Sequence, residues 1–200
     1  MSLKLHKLHV CGYKDKLPDN AVVVNTTSRS KDFGKALSPF MNQGPIVFGD
    51  WVSENVENLW QFSKVYPEHL DDFKAWCAWR DSGLKDKHAH RYPMGKGKRP
   101  LFSWAMLDDS WEDFPQEKID YISARKTIYI PAYRYKLEKY CMKQINMLIG
   151  MLHVTDVYLW DFDGFMSERT FDELVNDPNK ALGHAFIIKK FIADKLYIGF

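Results

Sequence analysis

Cysteine is scarce in this sequence, and no apolar stretch is long enough to span a bilayer. The three cysteines, Cys11, Cys77 and Cys141, lie far apart and are odd in number, which argues against a disulfide framework. No C-x-x-C pair or Cys/His cluster suggests zinc, and neither a metal nor a cofactor is predicted. The N-terminus lacks the apolar run of a signal peptide. These absences predict a soluble, cytoplasmic protein without a membrane partner.

Charge of one sign is not in excess either. The chain has 28 basic and 26 acidic residues and a net charge of +2, which neither indicates nor excludes nucleic acid as a partner. The motifs G-x-G-x-x-G, H-E-x-x-H and G-x-S-x-G and the Walker loop are all missing. The 200 residues are 46% hydrophobic, enough to bury a core, and predict a single domain over 1–200. Nothing in the sequence predicts the oligomeric state.

Hydrophobic periodicity predicts a mainly α fold with a few short β-strands. Two segments are apolar enough to be strands, and 29–50 and 85–99 are loops, the second of them basic. The basic loop is predicted either to contact phosphate or simply to be solvated. Pro131 is expected to break or kink the long helical segment, so that 127–133 is either extended or a separate segment. The predicted strands are 21–24 and 154–162, and the predicted helices are 53–65, 68–82, most of 117–150, and 182–196.

The segment 53–65 is the most informative of these helices. Ser53 is a suitable N-cap, and Glu57, Gln61 and Lys64 follow it on one stripe at helical spacing. Trp60 borders the stripe, so a carboxylate, an amide and an ammonium group adjoin a large aromatic ring. The same spacing is also typical of a solvated ladder of polar side chains on a helix surface. Periodicity alone leaves both interpretations open.

Three stretches in order resemble the NADAR superfamily. Residues 57–65, E-N-L-W-Q-F-S-K-V, resemble its helix E-[HN]-x-[FW]-Q-x-x-K-[FV]. Residues 37–40, L-S-P-F, followed by G-P-I, are similar to its S-N-F loop. L-W-D at 159–161 and N-K-A-L-G at 179–183 are similar to its tryptophan loop and its N-x-L-G. The chain is identified as a divergent, YbiA-like member over about 21–196, departing at Val56, Pro39 and the insert 163–178.

The resemblance implies a mainly helical fold and a hydrolase of N-glycosidic bonds. Its substrate would be a nucleotide, an ADP-ribosyl compound or a ribosylamine, with modified nucleic acid as a further candidate. Glu57 matches the family's catalytic glutamate. The residues that the resemblance implies in the pocket are Ser38, Phe40, Gln61, Lys64, Trp160 and Asp161.

The chemistry explains why these residue types would be useful. Cleaving an N-glycosidic bond builds positive charge on the sugar carbon, which the carboxylate of Glu57 can stabilise while it orients water. Lys64 can keep that carboxylate ionised or bind a phosphate. Gln61 can hydrogen-bond a sugar or base, and Trp60 or Trp160 can stack a base.

Each of these residues can also have a purely structural role, and the protein can also have a function other than catalysis. Trp160 can be a core tryptophan, Asp161 a turn residue, and Ser38 the start of a turn at Pro39. At the level of the whole protein, one alternative to the enzyme is a non-catalytic module that binds ADP-ribose or a nucleotide. The other is a structural or interaction protein that uses its aromatic surface for assembly.

Overall fold

The computed structural model describes residues 5–104 and 117–197. Helices make up 43% of it and strands 14%. The strands form three small sheets. The predicted helices and short strands are therefore present, but the fold is mixed α/β rather than mainly α. The described residues contain no helix that is long and apolar enough to cross a membrane.

The elements of the described residues follow one another in chain order. The strands are β1 (Leu8–Cys11), β2 (Val22–Asn25), β3 (Ile46–Phe48), β4 (Trp51–Ser53), β5 (Lys64–Val65), β6 (Phe102–Trp104), β7 (Lys118–Ile119) and β8 (Val157–Trp160). The helices are α1 (Val56–Phe62), α2 (Phe73–Lys85), α3 (Tyr121–Ala124), α4 (Ile130–Tyr140), α5 (Met142–Leu152), α6 (Phe171–Val175) and α7 (His184–Leu196). Short 3-10 turns cover Phe33–Leu37 and Pro67–His69, and a π-helical turn covers Arg125–Tyr129.

The chain divides into two compact units. The first comprises 1–41 and 136–200, and the second comprises 42–135. The single domain over 1–200 stays a prediction. Each unit has its own buried side chains.

A parallel sheet lies in the first unit, with the strand order β1–β8–β2. Its central strand, V-Y-L-W, is buried along most of its length, as expected for a strand with neighbours on both sides. Strands β2 and β8 confirm the two predicted strands. β1, with the sequence L-H-V-C, was not predicted. Helix α7 contacts β1 and confirms the predicted closing helix.

The insert 163–178 is ordered in the first unit. It contains helix α6, which begins with a capping box in which the side chain of Thr170 accepts from the Glu173 amide and Glu173 binds back to Thr170. The guanidinium of Arg169 donates to Asp177 over 2.8 Å and closes the segment on itself.

The second unit is built around α1, all seven residues of which are buried. The helix is shorter than predicted. Ser53 ends strand β4 and its hydroxyl donates to the carbonyl of Asn55, so Asn55 is the N-cap and accepts from the Asn58 amide over 2.8 Å. Lys64 lies beyond the helix on β5, which pairs with β6. The prediction that Ser53 caps the helix was therefore wrong.

The second predicted helix and the first predicted loop also differ in detail. Helix α2 begins at Phe73 because the side chain of Asp72 caps it, accepting from the Ala75 amide over 2.9 Å. The residues before it form the 3-10 turn at Pro67. Within 29–50 the structure has the 3-10 turn Phe33–Leu37 and the first strand of the β3–β4 hairpin.

Pro131 does not break the helical segment. The turn before it is π-helical: the Ile130 amide donates to the Arg125 carbonyl, so the hydrogen bond spans one residue more than in an α-helix. A proline lacks an amide donor and crowds the preceding turn, so a widened turn accommodates it. Of the two alternatives for 127–133, the extended one was wrong, because these residues are helical.

Two helical glycines predict opposite responses to alanine. A Cβ at Gly83 would lie 2.1 Å from the ring of Phe62, which is itself packed on Trp79, whereas a Cβ at Gly150 would meet no atom within 4 Å. We expect Gly83→Ala to lower the free energy of unfolding by roughly 1–3 kcal/mol through overpacking. Gly150→Ala should raise it by roughly 0.5–1 kcal/mol. Urea unfolding of both variants measures this, and equal effects would contradict the packing of α2 on α1.

Candidate functional site

A chain of three polar side chains runs along α1 into β5. The amide of Gln61 donates to Glu57 Oε1 over 2.8 Å, and Lys64 Nζ donates to Gln61 Oε1 over 2.8 Å. The three residues are only 6–8% exposed. The alternative of a solvated surface ladder is therefore wrong. A buried carboxylate and a buried ammonium group are costly to desolvate, so this arrangement is unusual for a purely structural helix.

Lys64 is the electrostatic centre of this chain. Burial lowers the pKa of its ammonium group to about 8, although the carboxylate of Glu57 acts in the opposite direction. The ammonium nitrogen lies 4.3 Å from the ring centroid of Trp60, a cation–π distance. The Lys64 carbonyl accepts from the indole of Trp76 over 3.0 Å, which fixes the backbone on which the side chain stands. The site thus holds its cation between an amide oxygen and an aromatic face.

Aromatic rings surround Trp60. Its ring centroid is 5.2 Å from that of Tyr129 and 5.9 Å from that of Tyr121. Arg125, from the π-helical turn that contacts α1, places its guanidinium carbon 4.5 Å from the ring of Tyr121. Arg125 is 1% exposed, so it does not lie on a solvated helix face.

Asn58, next to Glu57, holds the start of the basic loop. Its amide donates to the carbonyls of Asp86 and His88, and its oxygen accepts from the His90 amide, each over 2.8 Å. Asp86 in turn binds His90 over 2.7 Å. Hydrogen bonds from the His88 amide and from His90 hold the pKa of Asp86 at about 2. The loop is therefore attached to α1 at its first residues.

Asp161, in the first unit, has a structural partner. Its Oδ2 lies 3.1 Å from His184 Nδ1 and accepts from the Ala185 amide over 3.2 Å, at the start of α7. His184 Nε2 lies 2.9 Å from the Thr26 carbonyl. Both ring nitrogens of His184 face acceptors, which requires the imidazolium form. Gly183 is needed here, because a Cβ would lie 2.5 Å from Asp161 Oδ2.

The pKa values of this pair shift in opposite directions. Burial acts to raise the pKa of Asp161, but the charge and hydrogen bond of His184 outweigh it and leave the pKa below 3.8. Burial acts to lower the pKa of His184, but Asp161 outweighs it and leaves the pKa above 6.5, while Lys136 acts weakly against this. The pair is therefore ionised between these values.

The remaining predicted residues of the first unit support local structure. The hydroxyl of Ser38 accepts from the Phe40 amide over 3.3 Å, so Ser38 does begin a turn at Pro39. The buried ammonium group of Lys136 donates to the carbonyls of Ser38 and Met41. Phe40 is half-buried.

Trp160 ends β8 half-buried, with the ring of Phe162 edge-on at 6.3 Å. It is thus less enclosed than a core tryptophan. The eight predicted site residues fall into two sets, one in each unit. Glu57, Trp60, Gln61 and Lys64 come together in the second unit, and Ser38, Phe40, Trp160 and Asp161 belong to the first.

The fold and the site define a mixed α/β protein with a buried carboxylate–amide–ammonium chain. The protein belongs to a family of unknown function (DUF6939), whose model matches residues 7–188. Searches among curated proteins and among solved structures gave no match.

The buried pair predicts a pH dependence of stability. Because the pKa of His184 is raised on folding, its contribution is complete below about pH 6.5 and is lost as pH rises through the folded value. Because the pKa of Asp161 is lowered, its contribution is present above about pH 3.8 and is lost on acidification. We expect His184→Gln to lower the free energy of unfolding by roughly 3–5 kcal/mol at pH 6, since it leaves a buried carboxylate without its cation.

The matched control is His153→Gln, which changes an exposed histidine of the same unit. The melting temperature of the wild type and of this control should fall as the pH rises above the His184 pKa, and that loss should be absent in His184→Gln. Parallel pH profiles for all three proteins would show that His184 is not charged in the native state.

Proposed function

We propose that the protein is an N-glycosidase-type hydrolase with Glu57 as its catalytic carboxylate. Its substrate would carry an N-glycosidic bond in a nucleotide, an ADP-ribosyl group or a ribosylamine. The enzyme would have a NADAR-like fold and would act in the cytoplasm. The observation that carries the proposal is the buried chain from Glu57 through Gln61 to Lys64. No metal or cofactor is part of the proposed chemistry.

The chain fits the charge that this reaction develops. Positive charge accumulates on the sugar carbon in the transition state, and a fixed carboxylate in a water-poor site stabilises it strongly. Gln61 fixes one oxygen of Glu57, which reduces the reorganisation needed during the reaction. The positive charge of Lys64 favours the ionised form of a carboxylate in the same site. Glu57 would also orient or deprotonate the attacking water.

The aromatic rings fit the leaving group. Trp60, Tyr129 and Tyr121 form a cluster next to the ammonium group of Lys64. Aromatic faces of this kind stack nucleic-acid bases without strong sequence preference. A base or a similar planar ring is therefore the leaving group that the cluster favours, in a free nucleotide or in modified nucleic acid.

A second candidate is a binding module without turnover. The observation that favours it is the low exposure of Glu57, at 6%, because hydrolysis needs a water molecule beside the carboxylate. The same aromatic and charged groups would then hold an ADP-ribose-like or nucleotide ligand.

The test is Glu57→Gln, which keeps the shape of the side chain and removes its charge. If the carboxylate stabilises the transition state, turnover should fall roughly 10²–10⁴-fold while substrate affinity changes little. Released base from a panel of nucleotides and ADP-ribosylated bases can be measured by mass spectrometry, with affinity measured by calorimetry on the same compounds.

Glu54→Gln is the matched control, since it makes the same change three residues earlier, before α1 begins. It should leave turnover and affinity unchanged. Unchanged turnover in Glu57→Gln would remove the catalytic role. Binding in the wild type without base release from any compound would leave the binding module as the better description.

A further inference from the structure

The hydrogen bonds that join Lys64, Gln61 and Glu57 run in a defined direction. The side-chain oxygen of Gln61 accepts from Lys64 Nζ over 2.8 Å, and its side-chain nitrogen donates to Glu57 Oε1 over 2.8 Å. An ammonium group can only donate, whereas an amide can both donate and accept. The ammonium group of Lys64 therefore binds the oxygen of Gln61 and turns the nitrogen of the same amide towards Glu57.

This direction matters most when Glu57 carries a proton. An ionised carboxylate only accepts, so it faces the nitrogen of Gln61 with or without a cation nearby. A carboxylic acid also donates, and an oxygen of Gln61 without a charged donor would accept that proton in a hydrogen bond. The amide would then turn round, and the proton would be held between two buried side chains. The charge-assisted hydrogen bond from Lys64 to Gln61 opposes that turn.

We propose that Lys64 is a positioning residue, which acts through Gln61 to keep the proton of Glu57 out of a hydrogen bond to Gln61 and free to be transferred. In the proposed hydrolysis, the oxygen of water bonds to the sugar carbon while the C–N bond breaks, and the electron pair of that bond goes to the departing nitrogen. Glu57 takes a proton from the water and passes it to that nitrogen. The inference rests on the proposed function for this step, but the link from Lys64 to Gln61 can be measured without turnover.

The protonation of Lys64 sets an upper pH limit on this arrangement. Burial lowers its pKa to about 8, against the opposing charge of Glu57, so the ammonium group loses its proton as the pH rises through about 8. A neutral amine binds the Gln61 oxygen more weakly and can itself accept, so the amide is released. Other polar or charged side chains that the described elements bring around Lys64 and Trp60 include Ser103, Tyr121, Arg125 and Tyr129.

The first test follows the side-chain amide of Gln61 by heteronuclear NMR, with its signals identified by their loss in Gln61→Met. Between about pH 6 and about pH 10, these signals should titrate near pH 8 in the wild type. They should stay constant in Lys64→Arg, which keeps its charge throughout, and in Lys64→Met, which has none. Lys74→Met is the matched control, because it removes an exposed lysine of the same unit and should titrate like the wild type. Equal titration in the wild type and Lys64→Met would overturn the inference.

The second test is base release from the same panel of nucleotides and ADP-ribosylated bases. Lys64→Met and Gln61→Met should each lower kcat roughly 10–100-fold, and the double variant should be no slower than either, because both changes act through one amide. The wild-type rate should fall above about pH 8, and this fall should be absent in Lys64→Arg.

The outcomes separate the positioning role from the enzyme. Losses that multiply in the double variant, or the same alkaline fall in Lys64→Arg, would overturn the inference and leave the N-glycosidase. A Gln61 titration that depends on Lys64, without base release from any compound, would keep the hydrogen-bond link and remove the enzyme. Circular dichroism should accompany each variant. If Lys64→Arg does not fold, the wild-type titration of Gln61 and the double variant decide.

Discussion

Burial of polar side chains on α1 is the constraint on which the second unit depends. A helix that is buried on every side must supply partners for each polar group it carries. Asn58 meets this requirement by holding three backbone groups of the loop that follows α2. Gln61 meets it by linking Glu57 to Lys64. The strand β5, the loop and the helix are thus joined through side chains of one seven-residue helix, and the site is a consequence of that burial.

The π-helical turn before Pro131 has a comparable role, because it contacts α1 and brings Tyr129 to Trp60. The wider π-helical turn shifts the direction of the side chains that precede it. In an ordinary α-helical turn, Arg125 and Tyr129 would therefore lie on other faces of the helix. The proline that makes the widened turn favourable therefore also determines which residues meet Trp60. The hydrogen bond from the Ile130 amide to the Arg125 carbonyl, which widens the turn, thus also affects which side chains lie at the site.

The sequence predicted those parts of the structure that depend on neighbouring residues. Helical spacing identified the Glu57 and Gln61 stripe, and β-branched runs identified β2 and β8. Spacing could not place Lys64, because the helix ends at Phe62 and the pairing of Lys64 with Ser103 decides its conformation.

Long-range partners were beyond the reach of the sequence for the same reason. Asp161 reads as a turn aspartate because its cation, His184, follows 23 positions later and its other partner is an amide of a distant helix. For Asp161 the missing information was the position of residues from another element, which propensity and spacing do not contain. For Arg125 it was the π-helical turn, which alters the helical period from which a buried face is predicted.

Asp161 and Glu57, the two buried carboxylates among the described residues, illustrate how structural and chemical roles differ. Asp161 binds a cationic ring and a helix amide directly, so its charge is required by the local structure, and neutralising it would leave the imidazolium of His184 without its partner. Glu57 accepts a hydrogen bond from the amide of Gln61, which is a neutral donor. A carboxyl oxygen of Glu57 can accept this hydrogen bond whether the group is ionised or protonated. A carboxylate that takes part in proton transfer must tolerate both states in place. The contact between Gln61 and Glu57 meets that condition, and the contact between His184 and Asp161 does not.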